Sequence, residues 1–307
     1  ATLIIIRITK KLIMNALLFP GQGSQAVGMG QEFYSNFKMV KKIFNQADEK
    51  LNYPISKLIL EGPEDDLQLT RNTQPAIMIV SYSIFKVLKE EFGFDLKTLN
   101  YFAGHSLGEY SALVCSESLA YNDALYLLHE RGKAMQEAVP VGKGRMIAVL
   151  GMETANLEKL IKTNNEIKDI CEIANDNSNG QLIVSGIKES VESLQIILKN
   201  QKIKTIPLKV SAPFHCSLMK SAADKMKEKI DEIKFIKPNL EIINNVTAEI
   251  ENDPKKIKNL LIEQIFSTVR WRESLILMSQ KGVKNFIEIG PGKVLTGMVK
   301  RTIKDVN

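Results

Sequence analysis

Three short apolar runs in this chain each end in a glycine turn, and each is followed by apolar residues at helical spacing. Leu17-Leu18-Phe19 stops at Pro20-Gly21-Gln22-Gly23. Tyr101-Phe102-Ala103 stops at Gly104 and gives way to Leu107, Tyr110 and Val114. Phe286-Ile287-Glu288-Ile289 stops at Gly290-Pro291-Gly292 and gives way to Val294, Leu295 and Met298. The runs predict buried strands and the spacing after them predicts helices. Strands that feed tight turns and then helices build a parallel sheet covered by helices, an α/β fold. Such sheets collect ligands at the carboxyl ends of their strands, where these turns lie.

Between residues 140 and 208 the rhythm changes. Residues 146–150 read as a strand and 154–162 as a helix. Residues 171–174 and 181–185 read as a strand pair across the turn-rich Asn175-Asp176-Asn177-Ser178-Asn179-Gly180. A helix over 188–199 and a strand over 204–208 complete a βαββαβ order, that of a ferredoxin-like unit. Val141-Gly142-Lys143-Gly144 and Pro207 punctuate its ends. The expected organisation is a catalytic core of residues 14–139 and 209–307, interrupted by an inserted subdomain over 140–208.

Composition adds exclusions. With 44% hydrophobic and 25% charged residues in 307, the chain is neither disordered nor fibrous. Its excess of 41 Lys and Arg over 35 Asp and Glu is spread along the sequence. It forms no basic run interleaved with aromatics, so no nucleic-acid partner is expected. Cys115, Cys171 and Cys216 show no metal-type spacing, and an odd number of cysteines points to a reducing compartment. His105, His129 and His215 are too scattered for a zinc site, and no metal is expected. The apolar start of the chain is broken by Arg7, Lys10 and Lys11, far short of the ~20 residues of a membrane span. It lacks the small-residue cleavage site of a secretory signal. Residues 1–13 are expected to be an extension without a catalytic role, and the protein to be cytoplasmic.

Gly104-His105-Ser106-Leu107-Gly108 matches G-x-S-x-G with a strand before it and a helix after it, the setting of a nucleophile elbow. The turn exposes Oγ, and the helix aims its N-terminal amides at developing negative charge. The alternative is a tight turn with a helix-capping serine. His105 lies inside the turn and reads as structural, whereas His129 falls within a helix. His215 follows Ser211-Ala212-Pro213-Phe214, a loop directly after a strand, and is the best candidate base. A Cys216–His215 dyad is disfavoured because neighbours in extended chain point to opposite sides.

On the helix over 122–138, Arg131 shares a face with Ala124, Leu127, Leu128, Met135 and Ala138. A guanidinium on a buried stripe must meet an anion. The residues alone favour an internal Asp or Glu partner, and the alternative is a clamp for a substrate carboxylate. Gly21-Gln22-Gly23-Ser24-Gln25-Ala26 fits the dinucleotide pattern G-x-G-x-x-A. The lysine-rich helical stretch over 37–51 stands where that pattern needs a strand ending in an acid.

Taken together, these segments resemble the malonyl-coenzyme A:acyl carrier protein transacylase family. The matching residues are Phe19-Pro20-Gly21-Gln22-Gly23-Ser24-Gln25, Gly104-His105-Ser106-Leu107-Gly108-Glu109-Tyr110-Ser111-Ala112 and Arg131-Gly132-Lys133-Ala134-Met135-Gln136. Pro213-Phe214-His215, Asn244-Asn245-Val246 and Ile289-Gly290-Pro291-Gly292-Lys293-Val294-Leu295 follow in the family's order. The likeness runs from about residue 14 to 303. It departs from the family in the first 13 residues and at Ser267-Thr268-Val269, where Asn-Pro-Val is common.

The resemblance implies an α/β-hydrolase-like core with a ferredoxin-like insertion, and a malonyl transferase working through a serine ester. It implies Ser106 as nucleophile, His215 as base, and the backbone amides of Gln22 and Leu107 as the oxyanion site. Gln264 would orient the histidine through its carbonyl, replacing the carboxylate of a full triad. Arg131 would hold the malonyl carboxylate, and Met135 and Phe214 would line the acyl site. Phe214 resembles malonyl-selective members, and relatives that take a branched unit often carry a smaller residue there. The implied partners are malonyl-CoA and an acidic acyl carrier protein. The chain is expected to be a monomer without cofactor. The rival readings are a serine esterase or thioesterase, an acyltransferase of broader selectivity, and a catalytically silent carrier-protein binder.

Overall fold

The computed structural model describes residues 14–210 and 212–306. The expected extension over 1–13 and Ser211 of the histidine loop lie outside the described residues.

Among the described residues, eight strands form two sheets. β1 (Met14–Phe19), β2 (Leu99–Gly104), β7 (Glu241–Ile243) and β8 (Val283–Glu288) make a parallel sheet in the order β7-β2-β1-β8. The three strands ending in glycine turns are therefore adjacent, and their carboxyl ends open onto one place. Side-chain alternation splits the sheet between two cores. Leu17, Phe19 and Phe102 face the helices Thr70–Glu90, Gly108–Cys115 and Tyr121–Glu137. Ala16, Leu18, Tyr101 and Ala103 face Trp271–Gln280 and Val294–Thr302. A parallel strand covered on both sides has no polar face, and so these runs are continuously apolar. Glu288 is the exception. Its carboxylate accepts from the backbone N–H groups of Leu295 and Thr296 at 3.1 and 2.8 Å, capping the helix that follows.

The second sheet comprises β3 (Gly144–Leu150), β4 (Cys171–Ser178), β5 (Gln181–Ile187) and β6 (Lys204–Pro207), antiparallel in the order β4-β5-β3-β6. With the helices Thr154–Thr163 and Lys188–Asn200 it has the βαββαβ order of a ferredoxin-like unit. Ile147, Val149, Leu182 and Val184 pack beneath those helices. Met146, Ala148 and Ile183, on the other face, join the main core.

The expected turn over 175–180 is shorter than its composition suggested. Asn175, Asp176, Asn177 and Ser178 continue β4, leaving Asn179 and Gly180 as the turn. These polar residues stay extended because distant groups satisfy them. The Asp176 N–H donates to the Val269 carbonyl at 3.0 Å, and the Asp176 carboxylate takes the Arg272 guanidinium at 2.8–3.0 Å. Asn177 bonds His105 at 2.8 Å. The same contacts stitch the second sheet to the first.

His129 proves structural. Pro75 lies inside the helix Thr70–Glu90 and has no N–H for the Arg71 carbonyl one turn earlier. Nδ1 of His129 bonds that carbonyl at 3.2 Å. Among the described residues, no helix is long and apolar enough to cross a membrane.

Candidate active site

The elbow follows from its glycines. A Cβ on Gly104 would stand 1.9 Å from the backbone of Gly108, and one on Gly108 would stand 2.2 Å from the Phe19 carbonyl oxygen. Between them Ser106 has φ 53°, in the left-handed region that a non-glycine residue occupies only when its surroundings hold it there. Asn245 does the holding. Its Oδ1 accepts from the Ser106 N–H at 2.7 Å, and its Nδ2 donates to the Gly104 carbonyl at 2.8 Å.

Ser106 Oγ lies 2.8 Å from His215 Nε2, and His215 Nδ1 lies 2.8 Å from the Gln264 carbonyl. A carbonyl only accepts, so Nδ1 carries the proton and the lone pair of Nε2 faces the serine. Burial, and then the charge of Arg131, push the His215 pKa down to about 3. The imidazole is neutral at ordinary pH. Cys216 turns away, its thiol bonding the Pro213 carbonyl at 3.2 Å, and burial raises its pKa to about 11. That geometry removes the cysteine dyad. His105 is committed to Asn177 and packs edge-on against Trp271 with ring centroids 5.5 Å apart.

Arg131 is fully buried at the same place. Its Nη1 donates to Gln74 Oε1 at 2.8 Å, and its Nη2 to Gln264 Oε1 at 2.8 Å and Ser106 Oγ at 3.2 Å. The Asp or Glu partner that its helix face suggested is not in contact with it. It forms no ion pair among the described residues, and three neutral oxygens take its place. Desolvation lowers its pKa, but a guanidinium stays charged.

Ser106, His215 and Gln74 line a cavity of about 220 Å³ between the two sheets, and Arg131 lies behind that lining, bonded to Ser106 and Gln74. Gln22 and Leu107 border it, and neither backbone N–H bonds another group among the described residues. Gly21 lets the Gln22 loop approach the elbow, since a Cβ there would stand 2.6 Å from the His105 carbonyl oxygen. Met135, Met146, Ile183, Phe214 and Met298 supply an apolar wall. The cavity thus brings together a serine hydroxyl, a neutral imidazole and free amides, with a buried cation bonded to the serine from behind the lining. Among the described residues, no group of His, Cys, Asp and Glu is placed to hold a metal.

Sequence reasoning assigned no role to four contributors: Asn245, Glu109, Gln74 and the side chain of Gln264. Asn245 and Glu109 lie inside the family motifs. Gln74 had only a weak signal, as an amide beside the apolar stretch Pro75-Ala76-Ile77-Met78.

Comparison with known proteins agrees with this geometry. The acyl transferase domain family model matches residues 16–307. The malonyl CoA-acyl carrier protein transacylase of Bacillus subtilis is 44% identical over 287 residues, 93% of this chain and 89% of that relative. The acyl-carrier-protein S-malonyltransferase of Bartonella henselae superposes with a TM-score of 0.93 at 40% identity, over 96% of this chain and 94% of that one. A malonyl-transacylase solved in complex with its type II polyketide synthase acyl-carrier protein gives 0.91 at 39% identity, over 95% and 94%. The fold and nearly the whole length are shared with these proteins, and the chain belongs to the malonyl CoA-acyl carrier protein transacylase family.

Proposed function

We propose that this protein moves a malonyl group from coenzyme A to the phosphopantetheine thiol of an acyl carrier protein through an ester on Ser106. One observation carries the reading. The nucleophile lies beside both a neutral imidazole and a buried guanidinium that has no carboxylate partner among the described residues. A buried cation held by neutral oxygens is ready for an anionic group on the substrate, and a carboxylate matches its fork. The relative solved with a carrier protein supports the second substrate.

Ser106 Oγ attacks the malonyl thioester carbonyl while Nε2 of His215 takes its proton. The oxyanion settles against the Gln22 and Leu107 N–H groups, where one such donor is typically worth ~3–4 kcal/mol. The C–S bond breaks, and coenzyme A leaves as a thiol with the proton from His215. The imidazolium is short-lived because burial and Arg131 both disfavour it. The carrier's thiol then gives its proton to His215 and attacks the ester. Ser106 leaves and recovers its proton from His215. Side chains and main-chain amides supply every group used.

Intact-protein mass after brief mixing with malonyl-CoA tests this. A malonyl-sized gain that Ser106→Ala abolishes and holo carrier protein discharges onto itself is the expected result. Discharge to water at the same rate with or without carrier would make the protein a hydrolase. No gain at all would leave only a binding role.

A further inference from the structure

Arg131 is held by Gln264, and Gln264 by Glu109. Glu109 is the second residue of the helix Gly108–Cys115 and is only 2% exposed. Its Oε2 accepts from the Gln264 side chain at 2.7 Å and from the Asn245 backbone N–H at 3.0 Å. The other end of the Gln264 amide accepts from Arg131 Nη2 at 2.8 Å. We propose that Glu109 is a positioning residue, which locks the Gln264 amide with its oxygen toward Arg131 and so aims the guanidinium at the substrate carboxylate. The proposal rests on the malonyl reading of the site.

A glutamine amide has nearly the same shape in its two flipped states, and only its partners choose between them. All three groups around Gln264 Nε2 are acceptors: Glu109 Oε2, and at 3.2 Å Asn245 Oδ1 and the Ser106 carbonyl. The Glu109 carboxyl makes the shortest of these bonds, through an oxygen that accepts whether or not the group carries a proton on Oε1. A flip would set oxygen against these oxygens and an NH2 group against the guanidinium. The amide therefore lies between an acceptor, Glu109 Oε2, and a cationic donor, Arg131, that orient it in the same sense. Without Glu109 the flip loses its strongest opponent, and Arg131 Nη2 loses a fixed acceptor. A purely structural Glu109, bracing only the Asn245 loop, would affect every acyl group alike through the elbow.

The test compares the full chain with Glu109→Gln, Glu109→Leu and Glu109→Asp, acylated by malonyl-CoA and by acetyl-CoA. Glutamine can place its Oε1 where Oε2 stands and keep both bonds, leucine removes the acceptor, and aspartate withdraws it by one methylene. The expected result is a roughly 10- to 100-fold loss of malonyl kcat/KM in the leucine and aspartate variants, mainly through KM. Acetyl transfer to Ser106 should change by less than about 3-fold, and the glutamine variant should recover most of the malonyl preference. Equal losses for both acyl groups, or no recovery with glutamine, would overturn the proposal. Thermal unfolding identifies a variant that fails to fold; should leucine fail, the aspartate and glutamine pair decides. A wild-type protein that takes no malonyl group would instead overturn the transferase reading.

Discussion

Nδ1 of His215 is bonded to the main-chain carbonyl of Gln264, in the place that a carboxylate takes in a full triad. A carbonyl fixes the tautomer and the ring plane as a carboxylate would, but it brings no negative charge to stabilise the imidazolium. Burial, and then the charge of Arg131, make that form less favourable still. The base is therefore held neutral, well below the usual histidine range.

The acid side of the rate profile follows from that. With His215 titrating near 3 instead of 6.5, the pre-steady-state rate of malonyl transfer to Ser106 should stay flat down to about pH 5. An ordinary surface histidine would lose about 30-fold over the same range. Rapid-quench acylation across pH checks this, and a fall centred near 6.5 would show that the imidazole is not shielded as the structure has it.

Arg131→Ala removes the donor to Gln74 and Gln264 together with the cation. Malonyl kcat/KM should fall by about 10³-fold or more, in line with the ~3–5 kcal/mol lost when one partner of a buried charge pair is removed. Acetyl-CoA, which has no carboxylate to place, should acylate Ser106 within a few-fold of its former rate. Arg131→Lys should rescue little, since an ammonium cannot reproduce the fork. Competition assays with the two thioesters read the change directly.

The sequence already held the frame of this site. The runs at Leu17, Tyr101 and Phe286 could only be buried strands, and the glycines after them marked where the chemistry collects. Ser106 was legible because its turn needs those glycines, and His215 because it closes a loop directly after a strand. The rest was hidden because it depends on partners far along the chain. Asn175, Asp176 and Asn177 have the composition of a turn, and it is pairing with β5, supported by Val269, Arg272 and His105, that makes them a strand. Arg131 was visible as a buried cation, but that its neighbours are amides is a tertiary fact. Glu109 and Asn245 stood in recognised motifs without a role, since a buried polar side chain is understood only from what it bonds.

Two glycine substitutions should act in opposite directions. Gly104→Ala drives a Cβ to 1.9 Å from the carbonyl group of Gly108, backbone that cannot move without opening the elbow. The expected cost exceeds ~3 kcal/mol, with poor soluble yield. Gly297 lies in the helix Val294–Thr302, and a Cβ there would meet nothing within 4 Å among the described residues. Gly297→Ala should raise stability by about 0.5–1 kcal/mol through helix propensity. Urea denaturation of both variants measures this; a neutral Gly104→Ala would mean that the elbow is looser than its geometry.

Glu109 also makes stability depend on pH. Burial raises its pKa from 4.5 to about 7, against the opposing pull of its two N–H donors and of Arg131. The groups around it do not change charge in that window. Tyr110 is pushed up to about 12, His215 titrates near 3, and Arg131 remains a cation. A carboxyl with a raised folded-state pKa binds its proton more tightly in the native protein. Its favourable contribution is complete below about pH 4.5 and is lost as pH rises through about 7. Glu109→Gln cannot titrate and should gain on the wild type as pH increases, by about 3 kcal/mol between about pH 4 and 8. Other titrating groups cancel in the comparison, because both proteins share them. Denaturation of the two proteins at a series of pH values gives the difference. A constant offset would mean that the carboxylate is already stabilised in the fold, with the Gln264 and Asn245 donors and Arg131 outweighing its desolvation.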